Sequence, residues 1–362
     1  MVRDVVVLGA TIAGLTAARR LAAEGFAVMV LDPNPEATSA AIGHGVGAVA
    51  HASTCANMAG AYGEEAAAEH VRRNLAGLEE IRKVLATAGI TPGETRLNDH
   101  SLGVALVREL DRVRRIMAGA GAEVEIIDGP SGPGLGSSVL LLDPHEYATA
   151  LHAQAHQAGA RITHDVTVTH IRRLDGVTEI TIRRNLAWVR DVEVVSAHAV
   201  VDTLGVSPWG ALAGAGRAQY VPTLRLEAPS EEVRLHAGPP VWMRRPVAEG
   251  TLLLGPKCAP AQLVPAAAAL ATWAATEFGV EGDREGQLVI DPSDHGRPIV
   301  GASAIPGGFY TRGNGRGELM NGTASGCYLA ALLLGVDVAR NVGLPWASKL
   351  RAVATRTLFR RT

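Results

Sequence analysis

The chain has 362 residues, a formal net charge of −2, 47% apolar residues and three scattered cysteines, Cys55, Cys258 and Cys327. That length can bury a large core, as one complex domain or two. The near-neutral charge removes the electrostatic case for nucleic acid or an acidic membrane, and no apolar run reaches membrane-spanning length. An odd cysteine count without motif spacing predicts free thiols in a reducing, cytoplasmic setting. No His/Cys/carboxylate cluster has metal-ligand spacing.

The first predicted element is a buried strand, Val5 to Gly9. A tight turn, Gly9-Ala10-Thr11-Ile12-Ala13-Gly14, opens a helix through Leu15 to Ala23, and a second apolar run, Phe26 to Leu31, ends in Asp32. This βαβ layout is that of a dinucleotide fingerprint. Gly9 makes the turn, Gly14 lets the helix approach the sheet, and the helix N-terminus offers free N–H groups to a pyrophosphate. Thr11 stands where a second glycine is usual, so its hydroxyl is a candidate pyrophosphate ligand.

A Gly/Ala/His-rich stretch, Ser39 to Gly63, suits backbone running close to a ligand. Glu64 to Ala88 has helical spacing through Val71, Leu75, Leu78, Ile81 and Leu85. A second helix is predicted over Leu106 to Met117. Gly129 to Gly136 is expected to be a surface loop. Asp143-Pro144 starts a helix through Ala158. Arg161 to Ile171 reads as one strand, Val177 to Arg183 and Val192 to Ser196 as a hairpin, and His198 to Gly205 as a separate buried strand. Tyr220 to Leu226, Pro240 to Arg244 and Thr251 to Gly255 are strands of a second sheet, and Pro260 to Phe278 is an Ala-rich helix. Pro298 to Ala302 and Gly308 to Thr311 are strands, Gly313 to Gly317 a second glycine-rich turn, Gly322 to Leu334 a helix, and Trp346 to Thr362 a basic amphipathic tail helix.

Several segments, in order along the chain, resemble landmarks of the D-amino-acid oxidase, glycine oxidase and sarcosine oxidase family of FAD enzymes. They are the N-terminal unit, Leu142-Asp143-Pro144, Val201 to Trp209, Asp294 to Gly301, and Gly313 to Gly326. The resemblance implies an α/β fold in which a Rossmann-like FAD-binding domain interleaves with a mixed, mostly antiparallel sheet domain. It places residues 1–78, 142–212 and 288–362 in the first domain, and 79–141 and 213–287 in the substrate domain. It implies that FAD lies with its pyrophosphate on Gly9, Thr11, Ile12, Ala13 and Gly14, and its ribose by Asp32 and Pro33. Adenine lies near Val168. The ring lies near Ile42, Gly43, His44, Gly45, Val46 and Gly47, and near Gly313, Gly315 and Arg316. Thr203, Leu204, Gly205, Gly317, Glu318 and Leu319 complete the cofactor set. The last long helix points its positive end at the flavin.

The expected reaction is oxidation of a C–N bond in an amino acid, an amine or a specialised-metabolite intermediate. Hydride passes to flavin, with molecular oxygen as acceptor. Arg316 matches an arginine that holds the substrate carboxylate in glycine-oxidase-like members, and with His44 and Tyr310 forms the catalytic set. His51 is a further candidate base. Trp242, Met243 and Arg244 read as packing. The chain departs from the pattern near Gly286-Gln287-Leu288, where a second carboxylate-binding arginine is missing. It departs again near Leu252 to Leu254, where an oxygen-activating lysine is missing and Lys257 lies beyond. No cysteine precedes Asp294, so non-covalent FAD is expected. Two rival classes stay open: a flavin monooxygenase of the aromatic-hydroxylase type, and a flavoprotein using FAD structurally in a rearrangement or cyclisation.

Overall fold

Four consecutive apolar residues, Val5 to Leu8, are fully buried and form the centre of a parallel sheet, as expected of a strand covered on both faces. A computed structural model describes residues 2–335, except 37, 42, 50, 104–106, 130–131, 185–190, 206–217, 280–281 and 304. The chain opens with β1 (Arg3–Leu8), α1 (Ile12–Ala23) and β2 (Val28–Leu31). Next come β3 (Val46–Gly47), α2 (Ala52–Tyr62), α3 (Glu64–Ala88), β4 (Gly93–Asp99), α4 (Val107–Gly119), β5 (Glu125–Ile127) and β6 (Gly134–Leu141). They lead into α5 (Pro144–Gln157), β7 (Arg161–Thr163), β8 (Val166–Leu174), β9 (Val177–Arg184) and β10 (Val192–Asp202). Then follow β11 (Gln219–Leu226), β12 (Val233–Leu235), β13 (Met243–Val247), β14 (Gly250–Leu254), α6 (Leu263–Phe278) and β15 (Asp283–Ile290). The described chain ends with β16 (Ile299–Ala302), β17 (Gly308–Arg312) and α7 (Glu318–Leu333).

The first sheet runs β16-β17-β10-β1-β2-β7, with β9 and then β8 attached to β10. Its centre is parallel: Val5 pairs with Val28 on one side and Ala199 on the other. The second sheet runs β15-β11-β14-β13-β12-β4-β6-β3, with β5 on β6, and is mostly antiparallel. This is the expected α/β architecture. One hydrophobic cluster joins the two sheets, with α1, α5 and α7 contributing Leu15, Leu21, Tyr147, Leu151, Leu329 and Leu333.

Local departures from expectation have local causes. The Gly-rich stretch contains α2, buried through Ala52, Cys55, Met58 and Ala59. The segment 129–136 is a loop only at its start, because Gly134, Leu135 and Gly136 pair with both β4 and β5. Arg161 to Ile171 is two strands, broken where Asp165 takes φ 54. Val192 to Ser196 and His198 onward form one strand, because the chain passes from antiparallel pairing with β9 to parallel pairing with β1 without a turn. The strand predicted over Pro240 to Arg244 is β13, which starts at Met243, and α7 starts at Glu318, ahead of Gly322. Ile42, Val206 to Trp209 and the tail Trp346 to Thr362 lie outside the described residues. Among the described residues no helix is long and apolar enough to cross a membrane.

Candidate functional site

The glycine turn is built as its residue types require. Gly9 has φ +100, and a Cβ on Gly14 would lie 2.1 Å from the Gly9 carbonyl oxygen, so neither position tolerates a side chain. Thr11 caps α1: its Oγ1 accepts from the Gly14 N–H at 3.1 Å and donates to Thr203 Oγ1 at 2.9 Å. The Thr203 hydroxyl in turn faces the Leu8 and Gly9 carbonyls at 3.0 and 3.1 Å. Thr11 is therefore a capping residue, and its hydroxyl proton goes to the neighbouring strand rather than outward to a phosphate. Leu204 covers Gly9, and Gly205 is left-handed at φ +67.

Asp32 ends β2 fully buried. Both its oxygens accept Ser39 Oγ at 2.9 Å, and His164 Nδ1 lies 3.5 Å away. A carboxylate has about four acceptor positions, so capacity for a ribose hydroxyl remains. The contact with Asp32 raises the His164 pKa. His164 Nε2 meets His152 Nε2 at 3.0 Å, and His152 Nδ1 lies 3.3 Å from Glu36. Pro33 follows Asp32 at partial exposure, and Val168 packs among Met29 and Leu31 in the core beneath β2.

The second glycine turn hangs on Asp291. Its Oδ2 accepts from Gly313 N at 2.6 Å and its carbonyl from Gly315 N at 3.0 Å. Gly313 and Gly315 have φ +74 and +61. Asn314 is fixed from α7: Asn321 Nδ2 donates to its carbonyl at 2.8 Å, and Ser325 Oγ to its Oδ1 at 3.1 Å. Below the turn, Arg312 Nη2 donates to Asp202 Oδ2 at 2.7 Å in a buried pair. Glu318 follows Gly317 at the start of α7. Burial, then Asp291, pushes its pKa up to about 8. It lies against Gly322, whose Cβ position also adjoins Ile12 of α1. Leu319 is buried in the same core as α1.

A cavity of about 290 Å³ opens at this turn. Its wall includes His51, His70, Asn74, Lys257, Arg316 and Asn321. The Arg316 guanidinium lies 3.6 Å from the Trp242 ring centroid. Desolvation lowers the Arg316 pKa to about 9, so the group is cationic at neutral pH. Trp242 also meets the rings of His44 and His51 edge-on, at 5.6 and 5.5 Å. His44 Nδ1 accepts from Val46 N at 3.2 Å, so the ring hydrogen sits on Nε2. Burial, followed by Arg245 for His44 and by His44 for His51, lowers both pKa values to about 3. Arg245 holds the His44 carbonyl, and Gly45 has no room for a Cβ against the Leu142 carbonyl oxygen, 2.2 Å away. Gly43 has open space around its Cα, while Val46 and Gly47 form β3 on β6.

The structure thus gathers Arg316 and His44 around Trp242, and it corrects the reading of Trp242 as packing alone. Tyr310 is not on the wall of this cavity; it pairs across to Gly301, with its ring where a Gly301 side chain would stand. Lys257, set aside by its sequence offset, does line the cavity. His70, Asn74 and Asn321 had no motif to mark them. They come from α3 and α7 and meet only in three dimensions.

The donors and acceptors around these turns suit the polar parts of FAD. The first N–H groups of α1 and α7 have no intrahelical acceptors, and Ile12, Ala13 and Leu319 are buried, so these donors suit an anion or carbonyl edge. Ser293 Oγ and Asn321 Oδ1 line the cavity and are buried without a protein partner, as a polar ring edge would require. The cavity is near the lower end of ordinary ligand pockets.

The family model described as DAO, FAD-dependent oxidoreductase, matches residues 4–332. No curated protein sequence matches the chain. Among solved structures, the fold is similar to L-amino acid deaminase from Proteus myxofaciens, with TM-score 0.70, 16% identity, and coverage of 92% of this chain and 90% of that one. It is similar to L-proline dehydrogenase from P. horikoshii, at TM-score 0.70, 14% identity and coverage of 92% and 93%. It is also similar to glycine oxidase from Geobacillus kaustophilus, at TM-score 0.68, 17% identity and coverage of 91% and 94%.

Proposed function

This chain belongs to the DAO family of FAD-dependent oxidoreductases, and from that premise we propose that it oxidises a C–N bond of an amino acid or a related carboxylate-bearing amine. The observation that carries the reading is Arg316: a cation stacked on Trp242, on the wall of a cavity, beside two neutral imidazoles. A guanidinium centred 3.6 Å over an indole keeps its N–H fork available for bidentate capture of a carboxylate. Because His44 and His51 stay neutral, neither imidazole competes with Arg316 for the carboxylate, and Lys257 is a second basic side chain on the wall. The His51 Nε2, unpartnered and on the wall, offers the substrate amine a hydrogen-bonding partner.

Bound FAD supplies the hydride acceptor. We assign its pyrophosphate to the Gly9–Gly14 turn and α1, its ribose to Asp32, and its ring to the space between Gly43–Gly47 and Gly313–Leu319. Attachment is non-covalent in this reading; among the described residues no cysteine lines the cavity. Residues 1–78, 142–212 and 288–362 form the FAD domain and the rest the substrate domain, with oxygen as terminal acceptor.

Substituting Arg316→Gln tests the assignment. Hydrogen bonds to charged groups contribute about 1.5–3 kcal/mol, so the variant raises the Kd of acetate or propionate, read by flavin absorbance, by about 10- to 100-fold. An unchanged Kd refutes the role of Arg316.

A further inference from the structure

A second, smaller cavity of about 40 Å³ adjoins the first, and both are lined by His70, Asn74 and Asn321. It lies between α3 and α7, and its wall also carries Arg73, Arg297 and Glu69. Two guanidinium groups face one carboxylate, and that carboxylate is already divided. Glu69 Oε1 accepts from Arg73 Nε at 3.0 Å, and Oε2 accepts from Arg72 Nε at 3.2 Å. Arg73 Nη2 is left buried with no partner. A buried guanidinium nitrogen without an acceptor costs free energy that an incoming anion would recover.

The surroundings hold both arginines in place. Arg73 lies 5.0 Å over the Tyr328 ring, and Arg297 lies 5.0 Å over Tyr62. At the neck, Asn74 Nδ2 and His70 Nε2 are 3.2 Å apart, with Asn74 donating to the imidazole. Burial, then Arg73 and Arg297, lowers the His70 pKa to about 4, so the neck carries no charge of its own. A cavity of this size holds about three water-sized atoms, the count of heavy atoms in a carboxylate.

We propose that the small cavity is a second carboxylate subsite, and that the substrate is a dianionic amino or imino acid spanning the His70–Asn74–Asn321 neck. One carboxylate rests on Arg316 and the other on Arg73 and Arg297. This inference rests on the Arg316 reading above and extends it to the substrate's far end.

The test titrates the FAD-loaded protein with a series of α,ω-dicarboxylates from succinate to adipate, and with the monocarboxylates acetate, propionate and butyrate, by calorimetry. One dicarboxylate length binds at least about tenfold tighter than any monocarboxylate, the gain of one added charged contact. Arg73→Gln and Arg297→Gln each remove that excess and leave monocarboxylate affinity within about twofold, whereas Arg316→Gln weakens both ligand classes. If no dicarboxylate outbinds the monocarboxylates, or if both distal variants leave the excess intact, the second subsite is refuted while Arg316 stands. If Arg316→Gln changes neither class, the underlying reading fails instead. Should Arg73→Gln not fold, Arg297→Gln and the wild-type ligand series decide the matter.

Discussion

Gly326→Ala is a one-methyl perturbation placed where α7 crosses α1. A Cβ there would lie 2.5 Å from the Ala13 carbonyl oxygen, 2.7 Å from Thr16 Cβ and 3.1 Å from Thr16 Cγ2. The first of these partners is backbone, so a rotamer change cannot relieve it, and the two helices must separate. Overpacking of this kind costs about 1–3 kcal/mol, and a backbone clash belongs at the upper end. Replacing a helical glycine by alanine returns about 1 kcal/mol. The net is about 2 kcal/mol of destabilisation, or a Tm lower by about 3 °C in a chain of this size. Gly60→Ala is the control. Gly60 lies in α2 with nothing within 4 Å of its Cβ position, so only the propensity gain applies, and Tm rises by about 1–2 °C. Calorimetry of both variants checks the pair. A Gly326→Ala protein melting at or above wild type would refute the close-approach argument. Because the N-terminal turns of α1 and α7 face the assigned cofactor, the same variant also weakens FAD retention, measured by the fluorescence of released flavin.

Other perturbations separate the remaining contacts. Trp242→Leu removes the face on which Arg316 rests; a desolvated cation–π contact contributes about 2 kcal/mol, so acetate Kd rises about 30-fold, and an unchanged Kd would show that the indole does not position the guanidinium. Asp202→Asn breaks the buried pair with Arg312 and lowers stability by about 3 kcal/mol in denaturant melts, whereas a loss below about 1 kcal/mol contradicts the pairing. His164 has a pKa raised above its ordinary 6.5, so its stabilising contact with Asp32 is fully present below that value and is lost as pH rises through the higher folded value. The Tm difference between wild type and His164→Gln is therefore larger at pH 5.5 than at pH 9, and a constant difference rules the linkage out.

The first turn was legible in sequence because every constraint on it is local. Gly9, Gly14, the strand run and Asp32 each meet a requirement set within a few dozen residues, and the structure has the strand, the tight turn, the close helix and the buried acid there. Arg316 was legible through its glycine-rich setting, since a turn with Gly313 and Gly315 at positive φ presents whatever side chain it carries. The partner that gives Arg316 its geometry was not legible. Trp242 lies in a different sheet strand region, and an indole that packs and one that carries a guanidinium look alike in sequence. The Arg73–Glu69–Arg72 arrangement reads as an ordinary exposed helical charge ladder. Only the packing of α3 on α7 turns one of those cations inward. Thr11 shows the converse limit: an off-pattern residue suggested a ligand, but local capping chemistry had already claimed its hydroxyl.

The two faces of α7 serve different neighbours. Gly322 and Gly326, one turn apart, lie against Ile12, Ala13 and Thr16 of α1. Asn321, Ala324, Ser325 and Tyr328 face the small cavity, and Gly77 of α3 packs close to the Met320 carbonyl on the same rod. A helix does not bend one side without carrying the other. The cofactor's anchor and the wall of the distal cavity are thus parts of a single mechanical member, and local opening of either face exposes both in one event.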